Sequence, residues 1–179
     1  MGWIGVYNNM GIGIMLAYVQ QLASNKNESY NYTICQIMLL TIPILAIFLN
    51  AKLLITINHK TRVQWVTALF AFSYLLFAIV IQTQSLFMSV VTSIVVVFAS
   101  KLGEATIMGY LKGVPQELIT SFTTGVGGSI FFAFFAQLWF MIFGLNQTHW
   151  TLLFMLVTLP TYYSSFMWIE RNRIEHKQF

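Results

Sequence analysis

Six stretches of the sequence run for about twenty residues or more with almost no charge: roughly 2–23, 34–57, 63–81, 86–110, 119–144 and 149–169. A run of about 20 apolar residues wound as an α-helix matches the hydrocarbon thickness of a bilayer. The runs lack the period-two alternation of barrel strands. Helices satisfy their own backbone polar groups in lipid, so helices are the expected spanning element. The expectation is an all-α polytopic membrane protein, residues 1–179 forming a single six-helix transmembrane domain.

Composition agrees. Only 8% of the 179 residues are charged, where a soluble domain averages about 25%. This excludes a soluble enzyme, a disordered tail and a secreted disulfide scaffold. The single cysteine, Cys35, has no partner for an internal bridge. A pI of about 9.3 raises the question of nucleic acid. The basic residues are too few and too scattered to track phosphates, so no nucleic-acid partner is expected.

Orientation follows from the loops. With six spans, Lys52, Lys60, Arg62, Lys112, Arg171, Arg173 and Lys177 fall on one side and Lys26 alone on the other. This positive-inside bias places both termini in the cytoplasm, or in the matrix of a mitochondrion. Trp3, Trp65, Trp150 and Trp168 stand at span ends, where an indole is favoured, and Trp139 lies deeper in the fifth span, where core packing is expected. No cleavable signal is visible, and the first span is expected to be its own anchor. Val6 stands where myristoylation prefers Ser or Thr. The stretch from Glu170 to Phe179 reads as a solvated helix end. Asn27, Asn31 and Asn146 begin N-x-S/T sequons on the other side; Asn27 and Asn31 are glycosylation candidates in a secretory-pathway protein, and Asn146 lies very close to the membrane.

Few residues offer chemistry. His59, His149 and His176 are scattered with no Cys or carboxylate at ligand spacing, so neither a metal nor a cofactor is expected. Gly125-Val126-Gly127-Gly128 lacks the third glycine of a dinucleotide fingerprint, because Ile130 takes that position. Ser121, Gly125, Ser129 and Ala133 recur every four residues and form a small-residue packing stripe, which Thr124 and Gly128 extend. Gly109 and Gly113 form a shorter one. Pro43 and Pro160 are expected to kink the second and sixth helices.

The fourth span carries the most informative feature. Lys101 and Glu104 are three apart, hence neighbours on one helical face. Each is costly in an apolar stretch, and the pair reduces that cost. Two readings stand: a neutralised pair that pins this helix to a neighbour, or a group that works in binding or coupling.

Leu102-Gly103-Glu104-Ala105-Thr106, then Pro115, then Thr124-Gly125-Val126-Gly127-Gly128, resembles the battenin family in order and spacing. Asn8-Asn9 with Met15-Leu16 is similar to that family's first span, and Thr151-Leu152-Leu153 with Pro160 to its sixth. The likeness covers nearly all of this chain but only the N-terminal half of the family. It implies one half of a major-facilitator fold, an endolysosomal setting, and links to lysosomal pH and glycerophosphodiester export. Glu104 would match the family's intramembrane glutamate, and Asn8, Asn9, Gly103, Gly125, Gly127 and Gly128 its polar and glycine positions. Departures from the pattern are as informative. Gln21, Phe48 and Gln116 stand where the family carries charges, and Lys101 replaces a small residue.

Two functions follow. One is a non-catalytic structural or accessory subunit of a larger membrane complex, with lipid and other membrane subunits as partners and the mitochondrial inner membrane as one host. The alternative is a half-size transporter working as a homodimer in a lysosomal or vacuolar membrane, with Glu104 in coupling or substrate binding. Enzymatic activity is not expected.

Overall fold

The computed structural model describes residues 1–26, 29–53, 56–112, 115–144 and 146–176. They form six helices: α1 (Gly2–Asn25), α2 (Ser29–Leu53), α3 (His59–Thr83), α4 (Leu86–Tyr110), α5 (Gln116–Ile142) and α6 (Gln147–His176). No strand occurs among the described residues. Among the described residues, four helical segments are long and apolar enough to cross a membrane: His59–Thr83, Leu86–Tyr110, Gln116–Trp139 and His149–Arg171. Among the described residues of α2 the apolar stretch is Gln36–Lys52. α1 is long enough, but Asn8, Asn9, Gln20 and Gln21 dilute its apolar character.

Helix ends have local causes. Ser85 caps α4, its hydroxyl accepting from the Met88 amide at 3.4 Å. The Asn146 side chain accepts from the His149 amide at 3.3 Å and so caps α6. Gln84 closes α3 in the left-handed region with φ 48°. Pro115 precedes α5, where a missing N–H costs nothing. Pro43 and Pro160 lie inside α2 and α6, which continue through them as helix. α6 runs on to His176, so most of the stretch from Glu170 is the end of a helix.

The packing makes two layers. α2, α4, α1 and α5 adjoin in that order, and α3 and α6 lie against the back of this row. α1 is the hub, touching α2, α4, α5 and α6. That position relieves it of an all-apolar surface. Behind it, Tyr7, Phe70, Tyr74 and Tyr162 form a buried aromatic knot with centroids 5.4 to 6.5 Å apart. The Tyr7 hydroxyl donates to the Met155 carbonyl at 2.7 Å.

The tightest approach is between α1 and α5. A Cβ on Gly5 would collide with the Phe122 carbonyl and stand 2.8 Å from the Val126 nitrogen. A Cβ on Gly125 would collide with the Gly2 carbonyl. Small residues therefore bring the two backbones into contact, as they do between helices in lipid. The outward faces are strongly apolar. Leu40, Ile44 and Phe48 on α2 and Ile130, Phe131, Phe135 and Ile142 on α5 are all more than 60% exposed. Trp139 belongs with them. It is 62% exposed and packs on Phe143 at 5.2 Å, so the expected core position is corrected: Trp139 stands two residues from Gln137 and so on the opposite side of α5.

Candidate functional site: a polar seam between the first and fourth helices

Along α4, Lys101 and Gly103 are two residues apart and so point to opposite sides of the helix. Gly103 faces α3 and α1: a Cβ there would collide with Asn8 Oδ1 and lie 2.9 Å from Val66 Cγ1. Lys101 faces the front of the row, away from α3. Its Nζ donates to Glu104 Oε2 at 2.7 Å, and the two side chains are 28% and 31% exposed. Lys101 Nζ also reaches Asn9 Oδ1 of α1 at 3.4 Å. The same oxygen accepts from the Ser100 hydroxyl at 3.2 Å. Asn8 lies fully buried, and its Nδ2 donates to the Ser100 carbonyl at 2.6 Å and to the Ser100 Oγ at 3.4 Å.

The result is a continuous polar seam: Asn8, Ser100, Asn9, Lys101, Glu104. Its inner end is a buried amide latch between two helices. Its outer end is a neutralised ion pair whose two side chains are about a third exposed. Such a pair can anchor a polar group on a neighbouring helix, or exchange a proton if water reaches it. The seam holds no nucleophile beside a base, and among the described residues no three His, Cys, Asp or Glu side chains gather.

The other singled-out residues divide. Ser121, Gly125, Ser129 and Ala133 turn toward α1. The Gly2 amide donates to Ser121 Oγ at 3.0 Å, Ser129 is 1% exposed, and Ala133 Cβ would lie 3.6 Å from a Cβ on Gly13. Gly127 and Gly128 have nothing within 4 Å of an added Cβ. Thr124 and Gly128 adjoin the stripe on its open side. With Ser121 and Gly125 of the stripe they line an open groove of about 1070 Å³ beside α1, together with Trp3, Gln116 and Thr120. Three residues advance the helix by about 300°, which sets these positions about 60° from the stripe on the same face. Asn27, Gly113 and Lys177 lie outside the described residues, as do the side chains of Asn31 and Arg173. Of the positions where the resemblance expects charges, Gln116 lines the groove, Gln21 lines cavities at the opposite end, and Phe48 points outward.

A second polar cluster escapes the sequence reading. Arg62, counted there as a loop cation, is 3% exposed. Its Nη1 donates to Asn50 Oδ1 at 3.4 Å, and Thr106 Oγ1 donates to the same oxygen at 3.1 Å. Its Nη2 lies 2.9 Å from His59 Nδ1, which must accept because a guanidinium only donates. The His59 ring meets Tyr110 edge-on at 5.8 Å. This cluster ties α2, α3 and α4 together at one end. The available signal was Asn50, a lone amide in an apolar run.

No protein family, curated protein or solved structure matches the chain.

Proposed function

We propose that the protein is a non-catalytic subunit of a larger membrane assembly, built on a six-helix unit that resembles one half of a battenin-type transporter. In this reading all six helices span the bilayer and both ends of the bundle chain face the cytoplasm or matrix. Lys52, Lys60, Arg62, Lys112 and Arg171 sit at one end of the bundle and Lys26 at the other, which supports that orientation.

One observation carries the proposal. Lys101 and Glu104 are about a third exposed on the front of the row α2–α4–α1–α5. Ionisable groups in the hydrocarbon cost about 2.5–3.5 kcal/mol each on insertion scales. Lipid is a poor cover for that face, and a polar-bearing helix of another subunit is a good one. The likeness to battenins adds that the corresponding face of a two-half transporter lies against its other half.

A second reading rests on the same exposed Glu104. Two copies facing each other would enclose the ion pair in a wet cavity, as a half-size transporter requires. Purification from its native membrane in mild detergent, with mass measurement, separates the cases. Unrelated subunits in fixed stoichiometry support the first reading. A symmetric dimer supports the second. A monomer overturns both.

A further inference from the structure

Thr151 lies in the first turns of α6, 1% exposed, and its hydroxyl has no partner among the described residues. Among the described threonines it alone is buried in this state, which the hydroxyls of Tyr74 and Tyr162 share. Thr67, Thr83, Thr92 and Thr158 each donate to the carbonyl four residues earlier, the ordinary solution for a hydroxyl on a helix in an apolar setting. A buried hydroxyl with no partner costs about 1–3 kcal/mol. Something absent from the chain itself should satisfy it.

The surroundings say what. Thr151 lines a small chamber of about 40 Å³ with Gln21, Gln137, Ile14 and Phe77. A water needs at least about 10–15 Å³ of such space and two to four polar partners. The chamber offers that space, two amides and the hydroxyl. It shares Tyr18 and Gln21 with a larger cavity of about 440 Å³. That cavity is lined by Asn25, Lys26, Gln84, Asn146 and His149, all exposed, where α1 and α3 end and α6 begins.

We infer that water enters the bundle at this end and occupies the chamber, held by Thr151, Gln137 and Gln21. The inlet is a wet pocket distinct from the Lys101–Glu104 seam, and it does not depend on the function proposed above. It stops at Ile14 and Phe77, which are 2% and 3% exposed.

Radiolytic hydroxyl labelling of the protein in lipid nanodiscs tests this, because residues beside bound water are oxidised even when buried. Matched pairs remove intrinsic reactivity: Phe77 against Phe70 and Ile14 against Ile4, where Phe70 and Ile4 are fully buried and line neither the chamber nor the larger cavity. Phe77 and Ile14 should be oxidised at least threefold faster than their counterparts. Equal rates would mean a dry or lipid-filled chamber and overturn the inference. The double variant Thr151→Val, Gln137→Leu should bring Phe77 down to the rate of Phe70, with labelling of the half-buried Trp3 unchanged as a check on folding. Persistent fast labelling of Phe77 in a folded variant would overturn the assignment of these residues.

Discussion

Gly103 of α4 sits directly against the amide of Asn8 on α1, and a single methyl at Gly103 would occupy the space of the Asn8 Oδ1. The seam between the two helices depends on this absence of a side chain. It brings Asn8 Nδ2 within 2.6 Å of the Ser100 carbonyl and leaves Asn9 in reach of Lys101.

Gly103→Ala is therefore expected to destabilise the bundle by about 1–3 kcal/mol, the usual cost of overpacking. Gly127→Ala serves as the counterpart. Nothing lies within 4 Å of its added Cβ, and removing a helical glycine gains up to about 1 kcal/mol. Thermal unfolding in detergent should move the two midpoints in opposite directions. Equal shifts would refute the assigned contact.

The crossing of α1 and α5 should be less forgiving. Gly5 and Gly125 meet backbone atoms, which cannot swing aside as a side chain can. Gly125→Leu is expected to separate the helices. The readout is a disulfide between cysteines placed at Gly13 and Ala133, whose Cβ positions lie about 3.6 Å apart. Oxidation should form the bridge readily in the otherwise native chain, after Cys35→Ser, and lose it when Gly125→Leu is added.

Asn50 offers a third test. Its Oδ1 serves both Arg62 and Thr106. Asn50→Ala leaves a buried guanidinium nitrogen and a buried hydroxyl without that acceptor, for a loss of about 1–3 kcal/mol. Asn50→Asp keeps the acceptor and adds a charge opposite Arg62, so it should recover part of the loss. Unfolding titrations in mixed micelles would measure both. A result in which Asp is as damaging as Ala would argue against the Arg62 contact.

These residues also show what was legible beforehand. The limits of α4 were readable as 86–110, because Ser85 caps the helix where the apolar run begins. For α2 the apolar pattern suggested 34–57, yet the helix is Ser29–Leu53. Once nucleated, a helix extends through polar residues that hydropathy excludes. The Lys101–Glu104 pair was readable because its spacing is local. Its extension to Asn9 and Ser100 was not, since nothing in a one-dimensional pattern places α1 beside α4. Arg62 was misread for a related reason. α3 begins at His59, three residues before it, and so turns its side chain inward to Asn50.

The ion pair itself can be separated into a structural and an associative part. Lys101→Met or Glu104→Leu alone leaves one unmatched charge among apolar neighbours, and each is expected to lower stability by about 2–3 kcal/mol. Both sites are about a third exposed, so solvent or headgroup screening places the effect toward the lower end. The double variant removes both charges and should recover most of the isolated chain's stability, since an apolar pair of similar volume is often no worse than an ion pair. Assembly should behave differently. If the proposed partner recognises the polar face, it has nothing to recognise in the double variant, so the proposed assembly should be lost although the chain folds. If an assembly forms as well from the double variant as from the native chain, the pair acts only within the chain, and the proposed docking of a partner on the front of α4 is refuted.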